Sequence, residues 1–152
     1  MTHLKEGDQA PAFKGLDQDG NEISLANYDG KKLIIFFYPK DGTPTCTNEA
    51  CNLRDNIGAL KKAGFEVVGV SSDSQRKHQN FIKKHELPFP LIADTDLAVH
   101  NAFGVWGPKK FMGKEYDGTH RTTFVVNDGK VERVFAKVKS KEHSEQILAS
   151  YE

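Results

Sequence analysis

The sequence predicts an α/β domain with a central mixed sheet and helices on both faces of it. Three observations predict this class. Continuous apolar runs at residues 33–38 and 65–71 read as strands covered on both sides, because neither alternates with polar residues. Each is followed by a segment with helical periodicity, giving the order β-α-β-α. Two later runs, 122–126 and 131–135, flank Asn127-Asp128-Gly129-Lys130 and read as an antiparallel hairpin. Crossovers followed by a hairpin make the sheet mixed. Periodicity alone does not choose one architecture among the small α/β sandwiches.

The elements follow in order. Gly7-Asp8-Gln9-Ala10-Pro11-Ala12-Phe13 and the turn Asp17-Gln18-Asp19-Gly20-Asn21 predict short irregular or hairpin structure at the start. Leu33-Ile34-Ile35-Phe36-Phe37-Tyr38 is the first strong strand, and Pro39 ends it. From 44 to about 62, Ala50, Leu53, Ile57 and Leu60 recur at three- and four-residue steps and stop before Gly64, which predicts one helix. Thr43 or Thr45 would cap it, with Pro44 in its first turn. A strand at 65–71 precedes a helix at 73–86 that turns Phe81 and Ile82 inward. A short strand at 91–93, a short helix at 96–103, the hairpin and a final helix at 140–151 complete the reading. No element is assigned to 104–121.

No repeat, linker or shift in composition divides the chain, so residues 1–152 read as a single domain. A chain of this length buries roughly 68–70% of its unfolded surface and needs neither disulfide nor metal to hold a core. The 21 Lys and Arg balance the 21 Asp and Glu, which leaves no long-range field for phosphate backbones or anionic lipid. Nucleic acid and membrane surfaces are therefore disfavoured as partners, and small neutral substrates are favoured. The longest apolar run falls far short of the ~20 residues that span a bilayer, and Met1-Thr2-His3-Leu4-Lys5-Glu6 shows no apolar leader. The expectation is a cytoplasmic protein. In that reducing compartment its two cysteines would be catalytic, redox-sensing or inert rather than a permanent staple.

The chemically informative segment is Tyr38-Pro39-Lys40-Asp41-Gly42-Thr43-Pro44-Thr45-Cys46-Thr47-Asn48-Glu49-Ala50-Cys51. Cys46 falls in the first turn of the predicted helix, where free backbone N–H groups and the positive end of the helix dipole favour the thiolate. Its neighbours Thr43, Thr45 and Thr47 fit a dry core poorly, although a free cysteine is often simply buried. Thr43 places a hydroxyl three residues before the sulfur, and Pro39 would fix and shield the loop. Arg121 opens the later strand; it is either a solvated boundary cation or a guanidinium fixed beside Cys46. Glu49, one turn beyond Cys46, either orients that guanidinium or is an ordinary exposed glutamate. Cys51 is either a resolving thiol or an inert one. On an intact helix five residues rise about 7.5 Å and turn the side chains about 140° apart, so a direct Cys46–Cys51 bond requires local unwinding.

Other thiol chemistries fit less well. The spacing is not Cys-x-x-Cys, and the six histidines at 3, 78, 85, 100, 120 and 143 are too scattered for a structural zinc site. A cysteine–histidine hydrolase would need His120 as base, where a solvated loop histidine is the simpler reading.

Pro39-x-x-x-Thr43-x-x-Cys46 with Thr47-x-Glu49 resembles the active-site signature of the peroxiredoxins. Cys51, five residues after Cys46, is similar to the bacterioferritin comigratory protein branch, also called peroxiredoxin Q. The likeness continues through Gly7-Asp8-x-Ala10-Pro11-x-Phe13, Val68-Gly69-Val70-Ser71-x-Asp73, Leu87-Pro88-Phe89-Pro90-Leu91, Gly104-Val105-Trp106-Gly107 and Arg121-x-Thr123-Phe124. It covers nearly the whole chain.

The resemblance implies a thioredoxin-like fold and a thiol-dependent peroxidase that reduces hydrogen peroxide and organic hydroperoxides to water and alcohols. Cys46 would be the peroxidatic cysteine, Pro39, Thr43 and Arg121 the peroxide pocket, Glu49 the support of the arginine and Cys51 the resolving cysteine. Thioredoxin or a similar thiol reductant would recycle the enzyme, a monomer, with no metal, haem or flavin. Phe89, Trp106, Phe111 and Met112 would either line the opening for an alkyl chain or serve ordinary packing.

Overall fold

The computed structural model describes residues 2–152; Met1, the first residue of the stretch read for a leader, lies outside them. Strands β1 (Lys14–Leu16) and β2 (Glu22–Ser24) form a small hairpin ahead of β3 (Lys32–Phe37). Then come α1 (Pro44–Asp55), α2 (Ile57–Lys62), β4 (Phe65–Ser71), α3 (Gln75–His85), β5 (Leu91–Ala93) and α4 (Ala98–Phe103). The chain ends with β6 (Trp106–Phe111), β7 (Lys114–Thr119), β8 (Thr122–Asn127), β9 (Lys130–Phe135) and α5 (His143–Ala149).

The central sheet has the order β5-β4-β3-β8-β9, with β3, β4 and β5 parallel and β8 and β9 antiparallel. It is the mixed sheet that the sequence predicts. β3 takes the middle position because its side chains are apolar on both faces. Leu33, Ile35 and Phe37 enter one core with Phe13, Ile23 and Val99 and Phe103 of α4. Ile34, Phe36 and Tyr38 enter the other with Leu53 of α1, Leu60 of α2, Phe81 of α3 and Ile147 of α5. Four helices thus crowd one face, and α4 shares the second with the amino-terminal segment. Among the described residues no helix is long and apolar enough to cross a membrane.

Three details depart from the sequence reading. The helix predicted over 44–62 breaks at Asn56 (φ −109°, ψ 12°), whose side-chain amide donates to the Asn52 carbonyl at 2.8 Å. The Asn52 carbonyl accepts from both the Asn56 backbone N–H at 3.2 Å and its side-chain amide, and the non-helical dihedrals of Asn56 leave α2 as a separate short helix. The final helix begins as a 3₁₀ turn, Ser140–Glu142, and stops at Ala149. The unassigned stretch holds the β6–β7 hairpin, missed because Pro108, Lys109, Lys110, Glu115 and Asp117 give it no apolar face. Its signal was the turn: Met112 (φ 50°) and Gly113 (φ 79°) form a two-residue connection with both φ values positive.

Candidate active site

The end of β3 leads through residues 39–43 into α1, and buried polar contacts fix that loop. The Tyr38 hydroxyl donates to Asp41 Oδ1 at 2.6 Å, and the Asp41 amide donates to Asp73 Oδ2 at 2.7 Å. His78 on α3 meets Asp41 Oδ2 through Nδ1 at 2.6 Å, while its Nε2–H donates to the Ile92 carbonyl at 2.9 Å. Asp41, Asp73 and His78 are thereby engaged with one another and with the backbone, and they tie the loop to β4, α3 and β5. Gly42 (φ 80°) makes the turn that an L side chain would strain. Thr43 takes the cap position of α1, but its hydroxyl does not cap; it donates back to the Lys40 carbonyl at 2.9 Å. Pro44 follows as the first helical residue, and Pro39 lies half-buried just past β3.

Cys46 is the third residue of α1 and is 1% exposed. Its sulfur is packed in the core as a small residue would be, yet it has a charged partner: Arg121 Nη2–H donates to Sγ at 3.2 Å. The same guanidinium donates from Nη1 to Glu49 Oε1 at 2.7 Å. Sheet register explains why residues 75 positions apart meet. Phe37 pairs with Thr122, so the start of β8 lies beside the end of β3, where α1 begins. Arg121 is therefore the fixed guanidinium of the two readings.

Glu49 is fully buried, not an exposed glutamate of the first turns. Loss of hydration pushes its carboxyl up to about 7, against the pull of the Arg121 charge. Its second oxygen, Oε2, has no hydrogen-bond partner among the described residues and lies 3.6 Å from His143 Nε2. His143 was not singled out in the sequence. Gln146 Oε1 accepts from the Lys139 amide, and its Nε2 donates to the Lys137 carbonyl, which fixes that amide's orientation. His143 Nδ1–H thus donates to Gln146 Oε1 at 2.9 Å, and the neutral ring's Nε2 accepts from the Thr123 hydroxyl at 2.8 Å. Burial holds its pKa down to about 4, with the Arg121 charge acting in the same direction.

These two groups give opposite pH dependences of stability. Glu49 binds its proton more tightly folded than unfolded, so its contribution is full below about pH 4.5 and is lost as pH rises through 7. His143 binds its proton less tightly folded, so its contribution is full above about pH 6.5 and is lost as pH falls towards 4. In the wild type the slopes largely cancel between pH 4.5 and 6.5. Glu49→Gln should leave stability rising with pH across that window, and His143→Gln should leave it falling, each by up to about 3 kcal/mol. Urea denaturation at several pH values checks this; parallel curves for both variants would contradict it.

Two further groups border the site. Lys109 of β6 donates from Nζ to the Thr119 carbonyl at 2.9 Å. Burial and the nearby Arg121 charge hold its ammonium below the ordinary lysine range, while the Cys46 charge opposes them. Nothing in its polar surroundings marked this lysine in the sequence. Cys51 is half-buried on α1, and its Sγ lies 3.8 Å from His85 Nδ1; both cysteines are free thiols. The expected alkyl-contact residues separate: Phe89 is buried, Trp106 is half-buried with its ring edge-on to His100, and Phe111 and Met112 stand exposed at the hairpin tip. Cys46 meets Arg121, and among the described residues His120 Nε2 has no hydrogen-bond partner, so no contact supports the hydrolase reading.

The model of the AhpC/TSA family matches residues 6–134. The chain is 48% identical to peroxiredoxin Bcp of Escherichia coli over 149 residues, 97% of this chain and 96% of that one. A putative peroxiredoxin Bcp of Haemophilus influenzae matches at the same identity and coverage. Among solved structures, Mycobacterium tuberculosis peroxidoxin BcpB superposes with a TM-score of 0.85 at 33% identity, covering 97% of this chain and 96% of that one. A Xanthomonas campestris bacterioferritin comigratory protein superposes at 0.84 with 36% identity, covering 91% and 88%. The fold, with a cysteine at the head of the helix after its central strand, defines the class: a thioredoxin-like oxidoreductase. The chain belongs to the AhpC/TSA family and, within it, to the peroxiredoxins of the bacterioferritin comigratory protein branch, which are peroxidases.

Proposed function

We propose that the chain reduces hydrogen peroxide and organic hydroperoxides through a Cys46 sulfenic acid, that Cys51 resolves this as an intramolecular disulfide, and that thioredoxin or a similar thiol reductant reopens it. The observation that carries the reading is the 3.2 Å contact between Arg121 Nη2 and Cys46 Sγ, with Glu49 holding the other side of the guanidinium. A cation there favours the thiolate and stabilises charge that develops on peroxide oxygens in the transition state. The Cys46 thiolate attacks one peroxide oxygen and the O–O bond breaks. The other oxygen leaves with the bonding pair and takes up a proton as water or alcohol. In this reading Thr43 and Pro39 line the peroxide pocket, and the threonine hydroxyl exchanges its Lys40 acceptor for a substrate oxygen.

Organic hydroperoxides are included because the Xanthomonas campestris relative is described by its alkyl peroxide reduction activity. Condensation of the sulfenic acid with the Cys51 thiol releases water and protects Cys46 from further oxidation. Both cysteines lie on one helix of one chain, which supports a monomer as the working unit. Two free thiols and recycling by exchange suit the reducing cytoplasm.

The test is the intact mass of the reduced protein after one equivalent of hydrogen peroxide, with remaining thiols blocked. Wild type should lose about 2 Da and present no thiol to the blocking reagent. Cys51→Ser should instead gain about 16 Da as a sulfenic acid and, with excess peroxide, about 32 Da as a sulfinic acid. An unchanged wild-type mass with two blockable thiols would remove the peroxidase reading of Cys46, and a Cys51→Ser protein that cycles normally with thioredoxin would remove the resolving role of Cys51.

A further inference from the structure

We propose that His85 is the proton acceptor for Cys51 when the disulfide closes, and that Cys46 is the sulfur that travels while Cys51 stays beside His85. This rests on the reading of Cys51 as the resolving thiol. The argument begins with how α1 is tethered. From Asn52 onward the helix is tied to its neighbours. Asn52 Nδ2 donates to the Lys141 carbonyl at 3.0 Å and to Glu145 Oε1 at 3.1 Å, and its Oδ1 accepts from the Ser144 amide at 2.7 Å. Arg54 Nη1 donates to the His85 carbonyl at 2.8 Å, and Leu53 is fully buried.

The preceding turns are held differently. Among the described residues, the side-chain hydrogen bonds from 44–51 to other elements are those of Cys46 and Glu49 to Arg121 and the contact of Cys51 with His85. Unwinding the head of α1 therefore breaks side-chain hydrogen bonds to one arginine and draws Cys46 and Ala50 out of the core, whereas moving Cys51 along with the tail would break the Asn52 and Arg54 tethers together and unpack Leu53 as well. The division falls at Cys51, and Cys51 is the fixed end.

At that fixed end the sulfur faces a base. His85 Nδ1 is 3.8 Å from Cys51 Sγ, and the ring is positioned edge-on to Phe81 with centroids 5.2 Å apart. The charged groups around it are Arg54, paired with Asp55, from α1, and Lys84 and Glu86 at the end of α3. Partial burial and the Lys84 and Arg54 charges lower the imidazole pKa, so the ring is neutral at neutral pH and can accept a proton.

The step balances within the chain. Cys51 S–H passes its proton to His85 Nδ1, and the thiolate's electron pair forms the bond to the Cys46 sulfenic sulfur. The Cys46 S–O bond breaks, and its oxygen leaves with the S–O bonding pair as hydroxide, which takes up the proton given back by His85, directly or through solvent, to become water. Cys51 is oxidised and the sulfenic Cys46 is reduced, each to the disulfide level.

The experiment follows disulfide closure by rapid mixing with one equivalent of hydrogen peroxide, quenching with a thiol-blocking reagent and reading the 2 Da loss over time. In wild type the closure rate should rise with pH through a step below the ordinary imidazole range of about 6.5. In His85→Gln it should fall about tenfold and lose that step, with sulfenic acid accumulating. His85→Ala should be accelerated by added imidazole, an effect that a purely structural role would not produce. If wild type closes no Cys46–Cys51 disulfide, the reading of Cys51 fails. If wild type closes it, and His85→Gln closes it at the same rate with the same pH profile, the role of His85 alone is overturned.

Discussion

Cys46→Ser should reduce no hydroperoxide above the uncatalysed background, a loss of at least about 10³-fold. The argument is one of nucleophilicity in a prepared place. Sulfur at the third position of α1 has helix N–H groups behind it and the Arg121 guanidinium 3.2 Å in front of it, so the site is built to carry negative charge there. A serine hydroxyl would be similar in shape and would keep Arg121 as a partner, so the fold should persist. A hydroxyl is a far weaker acid and nucleophile than a thiol, so the arginine would meet a neutral oxygen there. Peroxide consumption measured with excess dithiothreitol isolates this step, because that dithiol also reduces a Cys46 sulfenic acid in the absence of Cys51. Turnover retained by Cys46→Ser under those conditions would move the nucleophile elsewhere.

The central sheet was readable because burial on both faces leaves unmistakable runs, as in Leu33-Ile34-Ile35-Phe36-Phe37-Tyr38, and because glycine, proline and the Asn127–Lys130 turn punctuate them. The β6–β7 hairpin was not, since a two-stranded ribbon outside both cores selects no apolar periodicity. The break at Asn56 was hidden for a different reason. The apolar spacing of α1 and α2 is continuous, and the break is a change of backbone dihedrals at a single residue. The Cys46 segment could be read locally because its chemistry is consecutive in the chain. The meeting of Arg121, Glu49 and His143 around it depends on sheet register and on how α5 docks, and no local pattern encodes either. Glu49 shows the difference most clearly: its position in the helix leaves open whether it orients Arg121 or is an ordinary exposed carboxylate, and only the packing of β8 and α5 over α1 makes it a buried one.

That burial makes Arg121→Gln the second variant with a large expected effect, and it should show in two separable measurements. Catalytically, the variant loses the donor aimed at the sulfur and at developing charge on the peroxide, which should lower kcat/KM about 10²- to 10³-fold. Structurally, it leaves Glu49 as a fully buried carboxylate whose Oε2 is already without a partner, and removing one member of a buried pair costs about 3–5 kcal/mol. For a chain of this size that is a fall in Tm on the order of 10 °C. The sign of its pH dependence follows from Glu49. The Arg121 charge pulls that carboxyl down, so without it the pKa rises further above about 7, and the variant's stability deficit should be small near pH 5 and grow towards pH 8. Arg121→Gln with Glu49→Gln removes both charges, and should recover most of the stability while the peroxidase rate stays low. Recovery of activity in the double variant would mean that Arg121 serves only to neutralise Glu49; a stability loss that neither pH nor the second substitution relieves would mean that the pair is not what holds this end of the sheet together.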